Sequence, residues 1–223
     1  MGMLDAIGFT RKITRPRLEA FLRRYASEGK TLDIGCGNNL YRNFFPNRVT
    51  TDIEARAGVQ VDIIADAHNL QGIPDESFDV VVCTEVLEHL HTPAEAIAAM
   101  RRILKPGGLL LLTTRFIFPL HDVPGDYYRY TEYGLRHLLK DFSIIELQPE
   151  ASTIETLAVL YQRIGFQCDT LWLRPFKFFW FLLAKVTLLF RNILTKEYGD
   201  IHKKTEQKNI LSSGYYVAAR RAL

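Results

Sequence analysis

The stretch Thr31-Leu-Asp-Ile-Gly-Cys-Gly37 decides how the rest of the chain is interpreted. Its apolar run ends abruptly in a Gly-Cys-Gly turn, and a stretch compatible with a helix follows. A strand, a glycine turn and a helix in succession bring backbone N–H groups close to a small ligand, because glycine has no Cβ to block the approach. The dinucleotide-binding version of this turn has a third glycine, but here Leu40 occupies that position. The sequence therefore predicts a ligand-binding turn that departs from the pyrophosphate fingerprint.

Strands and helices are predicted to alternate on both sides of this stretch. Six further runs have the composition of strands: Val49–Ile53, Val61–Asp66, Phe78–Thr84, Leu109–Thr114, Phe142–Leu147 and Gly214–Arg220. Helices are predicted at residues 16–27, from a capping box at Thr92 and Glu95 to about Leu104, and over Thr131–Lys140. This alternation indicates an α/β fold, a doubly wound and mostly parallel seven-stranded sheet.

Composition narrows the classes of protein to consider. A chain of 223 residues with 48% hydrophobic content can bury one substantial core. Its net charge of +3 is too small to indicate a nucleic-acid partner. The three cysteines, Cys36, Cys83 and Cys168, are odd in number and form no disulfide framework, which is typical of a reducing compartment. Met1–Lys12 lacks the apolar segment of a secretory signal, so a cytoplasmic location is predicted.

Residues 150–213 interrupt the alternation and are predicted to be a helical insertion before the last strand. On a helical wheel, one stripe is polar and mostly basic, with Arg174, Lys177, Lys185, Asn192 and Lys196, and the opposite arc is rich in Phe and Leu. The longest apolar run is far shorter than the roughly 20 residues that a membrane span needs. Three interpretations of residues 172–196 remain open: a lid over the substrate pocket, a contact in a homodimer, or a helix lying peripherally on the inner face of a membrane.

Five motifs in a fixed order carry a resemblance to a known family. They are Asp33-Ile-Gly-Cys-Gly37, Asp52 after strand two, Asp66-Ala67 after strand three, Phe78-Asp-Val-Val leading into Glu85-Val-Leu-Glu-His89, and Leu104-Lys-Pro-Gly-Gly108 before strand five. This set resembles the class I S-adenosylmethionine-dependent methyltransferases, and within them the small-molecule group that contains ubiquinone-type O-methyltransferases. The resemblance covers about residues 28–147 and the last strand. It implies a Rossmann-like domain made of residues 1–149 and 214–223.

The resemblance implies S-adenosylmethionine as cofactor, and the predicted residues agree with that ligand. It has no phosphate, so one tight turn suffices, and its amino acid carboxylate can accept from N–H groups near Gly35 and Gly37. A carboxylate at the tip of strand two, Asp52, can accept both ribose hydroxyls, while Asp66 and Ala67 contact the adenine edge. The predicted cofactor site is Asp33, Gly35, Cys36, Gly37, Asp52, Ile53, Asp66, Ala67 and Thr84. Cys36 is interpreted as a packing residue and not as a nucleophile.

The acceptor site is predicted on two segments beside the cofactor. The loop after strand five concentrates titratable and aromatic groups, which favours an acceptor site over a plain connection. His121 is the candidate general base and His89 the second catalytic candidate, since imidazole exchanges protons near neutral pH. The candidate substrate residues are Glu88, Asp126, Tyr127, Tyr128 and Arg129. An Asp126–Arg129 pair that only shapes the loop is the alternative. No metal is predicted, although a cation held by Glu85, Glu88 and His89 is left open.

These observations predict an enzyme that moves the methyl group of S-adenosylmethionine to an oxygen or nitrogen of a small or lipid-linked acceptor. Two alternatives remain. One is a nicotinamide-dependent oxidoreductase, which Leu40 disfavours. The other is a catalytically silent interaction protein with the methyltransferase fold.

Overall fold

The computed structural model describes residues 11–37, 41–55, 57–168 and 170–223. Leu40, the residue at the third glycine position, lies outside them, as does most of the segment searched for a secretory signal. The chain forms two compact units. The sheet unit comprises Glu19–Arg115, Leu120–Gln148 and Tyr215–Leu223, and the helical unit comprises the chain up to Leu18, Phe116–Pro119 and Pro149–Gly214.

The predicted seven-stranded sheet is confirmed. Its strands are β1 (Thr31–Ile34), β2 (Arg48–Asp52), β3 (Ile63–Ile64), β4 (Phe78–Thr84), β5 (Leu104–Arg115), β6 (Phe142–Pro149) and β7 (Gly214–Arg221). They lie in the order β3-β2-β1-β4-β5-β7-β6, and the pairs β2–β3, β1–β2, β1–β4 and β4–β5 are parallel. The order reverses between β1 and β4, and at such a switch point the carboxyl ends of the strands leave a crevice for a ligand.

The core of the sheet unit lies around β1 and β4. All four residues of β1 are buried, and in β4 both Val81 and Cys83 are fully covered. Continuous apolar strands of this kind are typical of a parallel sheet covered on both faces. The helices that accompany the sheet are α1 (Arg15–Arg24), α2 (Pro93–Ile103) and α3 (Glu132–Leu138). The strand predicted over Phe78–Thr84 is observed with both of its ends.

The third strand is shorter than predicted, with two residues in place of Val61–Asp66. The carboxylate of Asp62 accepts from the backbone N–H and the hydroxyl of Thr50, both at 2.8 Å. Because this side chain takes the place of a ladder partner, regular pairing begins only at Ile63. The edge of the sheet is therefore formed by a short strand that leads directly into Asp66.

The fifth strand begins earlier than predicted, at Leu104 instead of Leu109. Leu104 pairs with Phe78, and the register then shifts so that Leu109 pairs with Val80. The intervening Lys-Pro-Gly-Gly residues form an irregularity within the strand. A Cβ at Gly108 would lie 2.8 Å from the carbonyl oxygen of Lys105, so this close approach requires glycine.

The capping box predicted at Thr92 is wrong. The Thr92 hydroxyl donates to Oε2 of Glu95 at 2.8 Å, and its side chain makes no cap with the helix N–H groups. The N–H of Glu95 instead donates to the backbone oxygen of Thr92. A true capping box occurs at Ser152, where the side chain accepts from the Glu155 N–H and Glu155 accepts from the Ser152 N–H.

The helical unit contains two packed helices, α4 (Thr153–Gln167) and α5 (Arg174–Leu189). Gly165 of α4 faces Phe181 of α5, and a Cβ there would lie 3.2 Å from the Phe181 ring. Phe166 completes this contact with an edge-on ring at 5.1 Å. The missing side chain of Gly165 thus makes room for a large aromatic group, and Phe181 is fully buried.

The long insertion helix predicted through Lys196 ends at Leu189. The N–H of Phe190 bonds to the oxygens of Thr187 and Leu188, which tightens the last turn and stops the α-helical pattern. Asn192 and Lys196 therefore do not belong to the stripe of this helix. No helix among the described residues has the length and hydropathy that crossing a membrane requires.

Candidate active site

The glycine turn after β1 has the backbone shape that its sequence predicts. Gly35 has a φ of +68° and Gly37 a φ of +43°, a region in which side chains are disfavoured. A Cβ at Gly35 would lie 2.4 Å from Cγ2 of Val86, and the Gly35 N–H donates to Thr51 at 2.9 Å. Any larger residue here would collide with the segment after β4. The backbone of the turn is therefore held by the Val86 side chain and by the hydrogen bond to Thr51.

Asp33 and Cys36 support this turn from inside the core. Asp33 is buried in an ion pair with Arg48, at 3.1 Å, and burial raises the pKa of Asp33 to about 6. Cys36 is buried too, with Sγ 3.7 Å from the oxygen of Gln60, and burial raises the pKa of its thiol. A thiol held protonated at neutral pH is a poor nucleophile. This agrees with the interpretation of Cys36 as a packing residue.

Two carboxylates stand at the tips of the neighbouring strands. Asp52 ends β2, is 6% exposed, and its Oδ1 accepts from the N–H of Ile53 at 2.8 Å. Asp66 follows β3, and its Oδ1 accepts from the backbone N–H of His68 at 2.9 Å. That hydrogen bond is the main cause that lowers the pKa of Asp66. Both groups are therefore available as acceptors for hydroxyl or amino donors of a ligand.

His68 fixes the orientation of the Asp66 carboxylate. Nδ1 of His68 lies 2.6 Å from Oδ1 of Asp66, and Nε2 accepts from the backbone N–H of His91 at 3.1 Å. An N–H can only donate, so Nε2 is unprotonated and the proton of the neutral ring is on Nδ1, directed at the carboxylate. The sequence analysis did not include His68 in the site. The Asp-x-His spacing, which lets a side chain bond two residues back, was the signal that could have identified it.

The turn and the carboxylates line a common cavity of about 650 Å³. This volume lies within the range of about 300–1,000 Å³ usual for small-ligand sites. Its lining residues are Ile34, Gly35, Asp52, Ile53, Ala65, Asp66, Ala67, His68, Glu85, Val86, His89, Leu90, Asp122 and Gly125. Apolar groups, Gly35 and the carboxylates of Asp52, Asp66, Glu85 and Asp122 line this space, a combination that fits a nucleoside with an amino acid tail. The residues present therefore fit S-adenosylmethionine.

A histidine pair lies at this cavity, and one of its members lines it. Nδ1 of His89 lies 2.8 Å from the carbonyl oxygen of Gly125. A carbonyl can only accept, so Nδ1 carries the proton and Nε2 is the basic nitrogen of the neutral ring. The rings of His89 and His121 meet edge to face with centroids 4.8 Å apart. His89 lines the cavity, whereas His121 is not among the described lining residues.

Carboxylates surround His121. Its backbone N–H donates to Oδ2 of Asp126 at 3.0 Å, and its Nδ1 lies 3.4 Å from the same oxygen. Its Nε2 lies 3.9 Å from Oε1 of Glu88. Both ring nitrogens therefore face acidic groups, and the ring is held edge to face against His89.

Glu88 is the most unusual carboxyl group of the site. Its side chain is fully buried, with Oε2 accepting from the Thr114 hydroxyl at 2.8 Å and Oε1 making no hydrogen bond to any described group. Burial, and then the negative charge of Glu85, raises the pKa of Glu88 to about 7. The carboxyl group therefore exchanges its proton near neutral pH, next to the histidine pair.

Replacing Glu88 with glutamine is expected to flatten the pH dependence of stability. The native carboxyl group binds its proton more tightly than the unfolded one, so its stabilising contribution is complete below about pH 4.5 and is lost as pH rises through about 7. The full change is of order 3 kcal/mol. Urea unfolding at several pH values would measure it, with the exposed Glu95→Gln as matched control. An identical pH slope in the wild-type and Glu88→Gln chains would contradict the assignment.

Three of these groups could converge on a cation. Ligand atoms of Glu88, His89 and His121 all lie within 4.8 Å of one another. Glu85, which the sequence left open as a ligand, forms an ion pair with Arg115 instead. The third group of this cluster is therefore His121 and not Glu85.

The loop after β5 is held by an ion pair within itself and by hydrogen bonds to the segment after β4. Arg129 donates to both carboxylate oxygens of Asp126, each at 2.6 Å, and this pairing holds the pKa of Asp126 well below its usual range. The backbone N–H groups of Tyr127 and Tyr128 donate to the oxygen of Glu88. The rings of both tyrosines are about half exposed. Asp126 and Arg129 thus shape the loop, while the tyrosine rings remain accessible.

The structure brings part of the predicted site together. Six predicted residues line the cavity, namely Gly35, Asp52, Ile53, Asp66, Ala67 and His89. Ten others are not among its described lining residues: Asp33, Cys36, Gly37, Thr84, Glu88, His121, Asp126, Tyr127, Tyr128 and Arg129. Their contact with a cofactor or acceptor stays a prediction. His68, Val86 and Asp122 are among the lining residues that the sequence did not predict.

Comparisons with known proteins agree with this geometry. Residues 32–112 match a family described as a methyltransferase domain. A ubiquinone biosynthesis O-methyltransferase of Saccharophagus degradans is 33% identical over 108 residues, which cover 41% of this chain and 46% of that protein. The chain spans about half the length of the curated relatives it matches.

Solved structures share the fold. The [4+2]-cyclase SpnF superposes with a TM-score of 0.57 at 18% identity, covering 94% of this chain and 81% of the cyclase. The 1,6-didemethyltoxoflavin N1-methyltransferase of Burkholderia thailandensis, with bound S-adenosylhomocysteine, has a TM-score of 0.54 at 14% identity, covering 96% and 81%. At these identities the likeness concerns the fold alone.

Proposed function

Since residues 32–112 are a class I S-adenosylmethionine-dependent methyltransferase domain, we propose that the chain transfers the methyl group of this cofactor to an oxygen or nitrogen of a small or lipid-linked acceptor. The observation that carries the proposal is the single cavity that joins the glycine turn, Asp52, Asp66 and His89. Cofactor-binding groups and a basic nitrogen thus border the same space.

The cofactor, when bound, supplies an electrophilic methyl group on a sulfonium centre. Asp52 would accept hydrogen bonds from the ribose hydroxyls, since its carboxylate stands at the strand tip beside the switch point. The glycine turn would receive the amino acid portion, because Gly35 lines the same cavity as the two carboxylates. Asp66 and Ala67 would border the adenine. These roles rest on the lining of the cavity and on the donor and acceptor character of each group.

His89 is the group best suited to take a proton from a hydroxyl acceptor. Its Nδ1–H is engaged by Gly125, which leaves the lone pair of Nε2 for the acceptor. His121 would act through His89, because its ring packs edge-on against that of His89 and does not border the cavity. An acceptor that is already a neutral amine would need no base. Most of the acceleration would then come from holding the two reactants in line.

The acceptor would approach over the loop that follows β5. The half-exposed rings of Tyr127 and Tyr128 offer an aromatic surface at this entrance, and Asp126 with Arg129 keeps that loop in one shape. The buried carboxyl group of Glu88 would exchange protons next to the histidine pair. These features support an acceptor with an aromatic or otherwise apolar body and one nucleophilic oxygen or nitrogen.

Cofactor binding and turnover test the proposal separately. Calorimetric titration with S-adenosylhomocysteine should show binding at one site, and titration with NAD should show none. Formation of S-adenosylhomocysteine should then be measured with phenols, catechols, amines and isoprenoid-tailed phenols as acceptors. Binding of NAD in place of the nucleoside would support the oxidoreductase alternative, which the comparisons do not favour. Cofactor binding without turnover on any of these acceptors would support the silent interaction protein.

Replacing His68 with alanine is expected to weaken S-adenosylhomocysteine binding by about tenfold, the loss of one charge-assisted hydrogen bond that orients Asp66. The turnover number at saturating cofactor should stay unchanged, because His68 is remote from the methyl group in this proposal. Equilibrium binding and saturation kinetics would separate the two effects. His91→Ala is the matched control, since it keeps the backbone N–H that holds His68. Equal losses in both variants would contradict the positioning role.

A further inference from the structure

Helix α5 and the turn before it carry a stripe of large apolar side chains that no other described part of the chain covers. Trp172 is 88% exposed and Leu189 80% exposed. The stripe continues between them at intervals of three and four residues, and we call it the aromatic face: Trp172, Phe176, Phe179, Leu182, Val186 and Leu189. Single exposed apolar residues are ordinary, but a contiguous row of six marks a surface that binds something.

The orientation of this face is fixed by the packing of the helical unit. Phe181 and Ala184 point to the other side of α5 and are buried. Phe181 sits against Gly165 of α4, and the rings of Trp180 and Tyr161 lie 5.9 Å apart. Rotating the helix to hide the aromatic face would expose Phe181 instead. The exposure therefore follows from a well-packed pair of helices.

The charged residues of the segment that carries the aromatic face are all of one sign. Between Thr170 and Lys196 the sequence contains no Asp or Glu, and its basic residues are Arg174, Lys177, Lys185, Arg191 and Lys196. Arg191 and Lys196 are exposed directly after the helix, and Lys185 is half-buried within it. Apolar side chains in a segment whose charged residues are all basic match a surface that has an apolar interior and negatively charged groups at its boundary with water.

We propose that the aromatic face docks on the surface of an anionic lipid bilayer. The helix lies parallel to the surface, its phenylalanine, leucine and tryptophan side chains enter the boundary between headgroups and acyl chains, and the lysines and arginines contact the lipid phosphates. A second copy of the chain is a poorer occupant, because a symmetric contact would bring together two segments whose charged residues are all basic. The proposal is independent of the methyl-transfer reaction, because it concerns the helical unit alone.

Vesicle flotation of the full chain, without cofactor, tests this binding. The protein should float with vesicles of phosphatidylcholine containing about one-third phosphatidylglycerol, and bind phosphatidylcholine alone at least about tenfold more weakly. Raising the salt concentration should weaken the binding, because it screens the charges. The double variant Phe179→Glu/Leu189→Glu should lose at least about tenfold in affinity, and Lys185→Glu about fivefold or more.

Ile145→Glu is the matched control, since Ile145 is 49% exposed on β6, outside the aromatic face. It should float like the wild-type chain. Circular dichroism and thermal melting of every variant verify that the fold is retained. Absence of binding to the anionic vesicles, or equal binding by the Phe179→Glu/Leu189→Glu variant, would overturn the proposal. A dimer in light scattering that this variant abolishes, without vesicle binding by the wild type, would assign the face to a second copy.

Discussion

Replacement of Asp52 with alanine is expected to lower the affinity for S-adenosylhomocysteine by at least about a hundredfold. In the proposed complex this carboxylate accepts two ribose hydroxyls, and hydrogen bonds to a charged group contribute about 1.5–3 kcal/mol each. Asp52 is nearly fully buried, so water cannot easily replace the lost acceptor. Isothermal titration calorimetry would measure the change directly.

Asp52→Asn separates the charge from the shape. The amide oxygen can still accept from the N–H of Ile53, so the turn after β2 should persist, while one of the two ribose acceptors becomes a donor. We expect an affinity between those of the wild-type and alanine chains. Asp75→Ala, at an exposed carboxylate away from the cavity, serves as control. An Asp52→Ala chain that melts normally and binds the nucleoside as the wild type does would rule out the proposed cofactor site.

Replacement of His89 with alanine is expected to reduce turnover of a hydroxyl acceptor by about 10²–10⁴-fold, the usual contribution of a general base. Cofactor affinity should change little, because in this proposal the cofactor is held by the glycine turn and the two carboxylates and not by this ring. The loss should be largest below the pH at which the acceptor ionises by itself. Steady-state kinetics at several pH values, together with binding of S-adenosylhomocysteine, would measure both quantities.

His121→Ala distinguishes the base from its support. If His121 acts by orienting His89, its loss should lower turnover less than the loss of His89 and should shift the pH profile. His137→Ala, on α3, is the control for the loss of an imidazole outside the site. A larger effect at His121 would exchange the two roles. Equal losses of turnover and cofactor affinity in the His89→Ala chain would indicate a structural role instead.

The sheet could be predicted from sequence because its signals are local and strong. The buried run Phe78–Thr84 and the Gly-Cys-Gly turn each determine their own backbone, and the carboxyl ends of parallel strands then necessarily share one edge. The sequence predicted strand bounds and helix caps less accurately where a side chain makes a hydrogen bond that differs from the regular pattern. The carboxylate of Asp62 shortens β3 in this way. The Thr92 hydroxyl donates to the Glu95 side chain and therefore does not cap the helix as predicted.

The site was predicted less completely than the sheet, since it depends on contacts between distant segments. The glycine turn was predicted from its own residues, and the roles of Asp52 and Asp66 at the strand ends followed from the resemblance to the methyltransferase family. The choice between His89 and His121 depends on which ring reaches the cavity and on the carbonyl of Gly125, neither of which a pattern can provide. The bounds of helix α4 were not predicted, although Ser152 and Glu155 form a capping box, because residues 150–213 were predicted only as a helical insertion and were not divided into separate helices.

The position of β7 between β5 and β6 has a consequence for synthesis. β6 leaves the ribosome more than sixty residues before Gly214–Arg221, yet it has no neighbour in the sheet until that segment arrives. Until then one edge of β5 is unpaired in the nascent chain, and its exposed amide groups can pair with strands of other chains. The pairing of β7 with β5 and β6 joins residues far apart in sequence, and we expect it to be the slow step of folding. Chaperones that mask open strand edges would act during this interval.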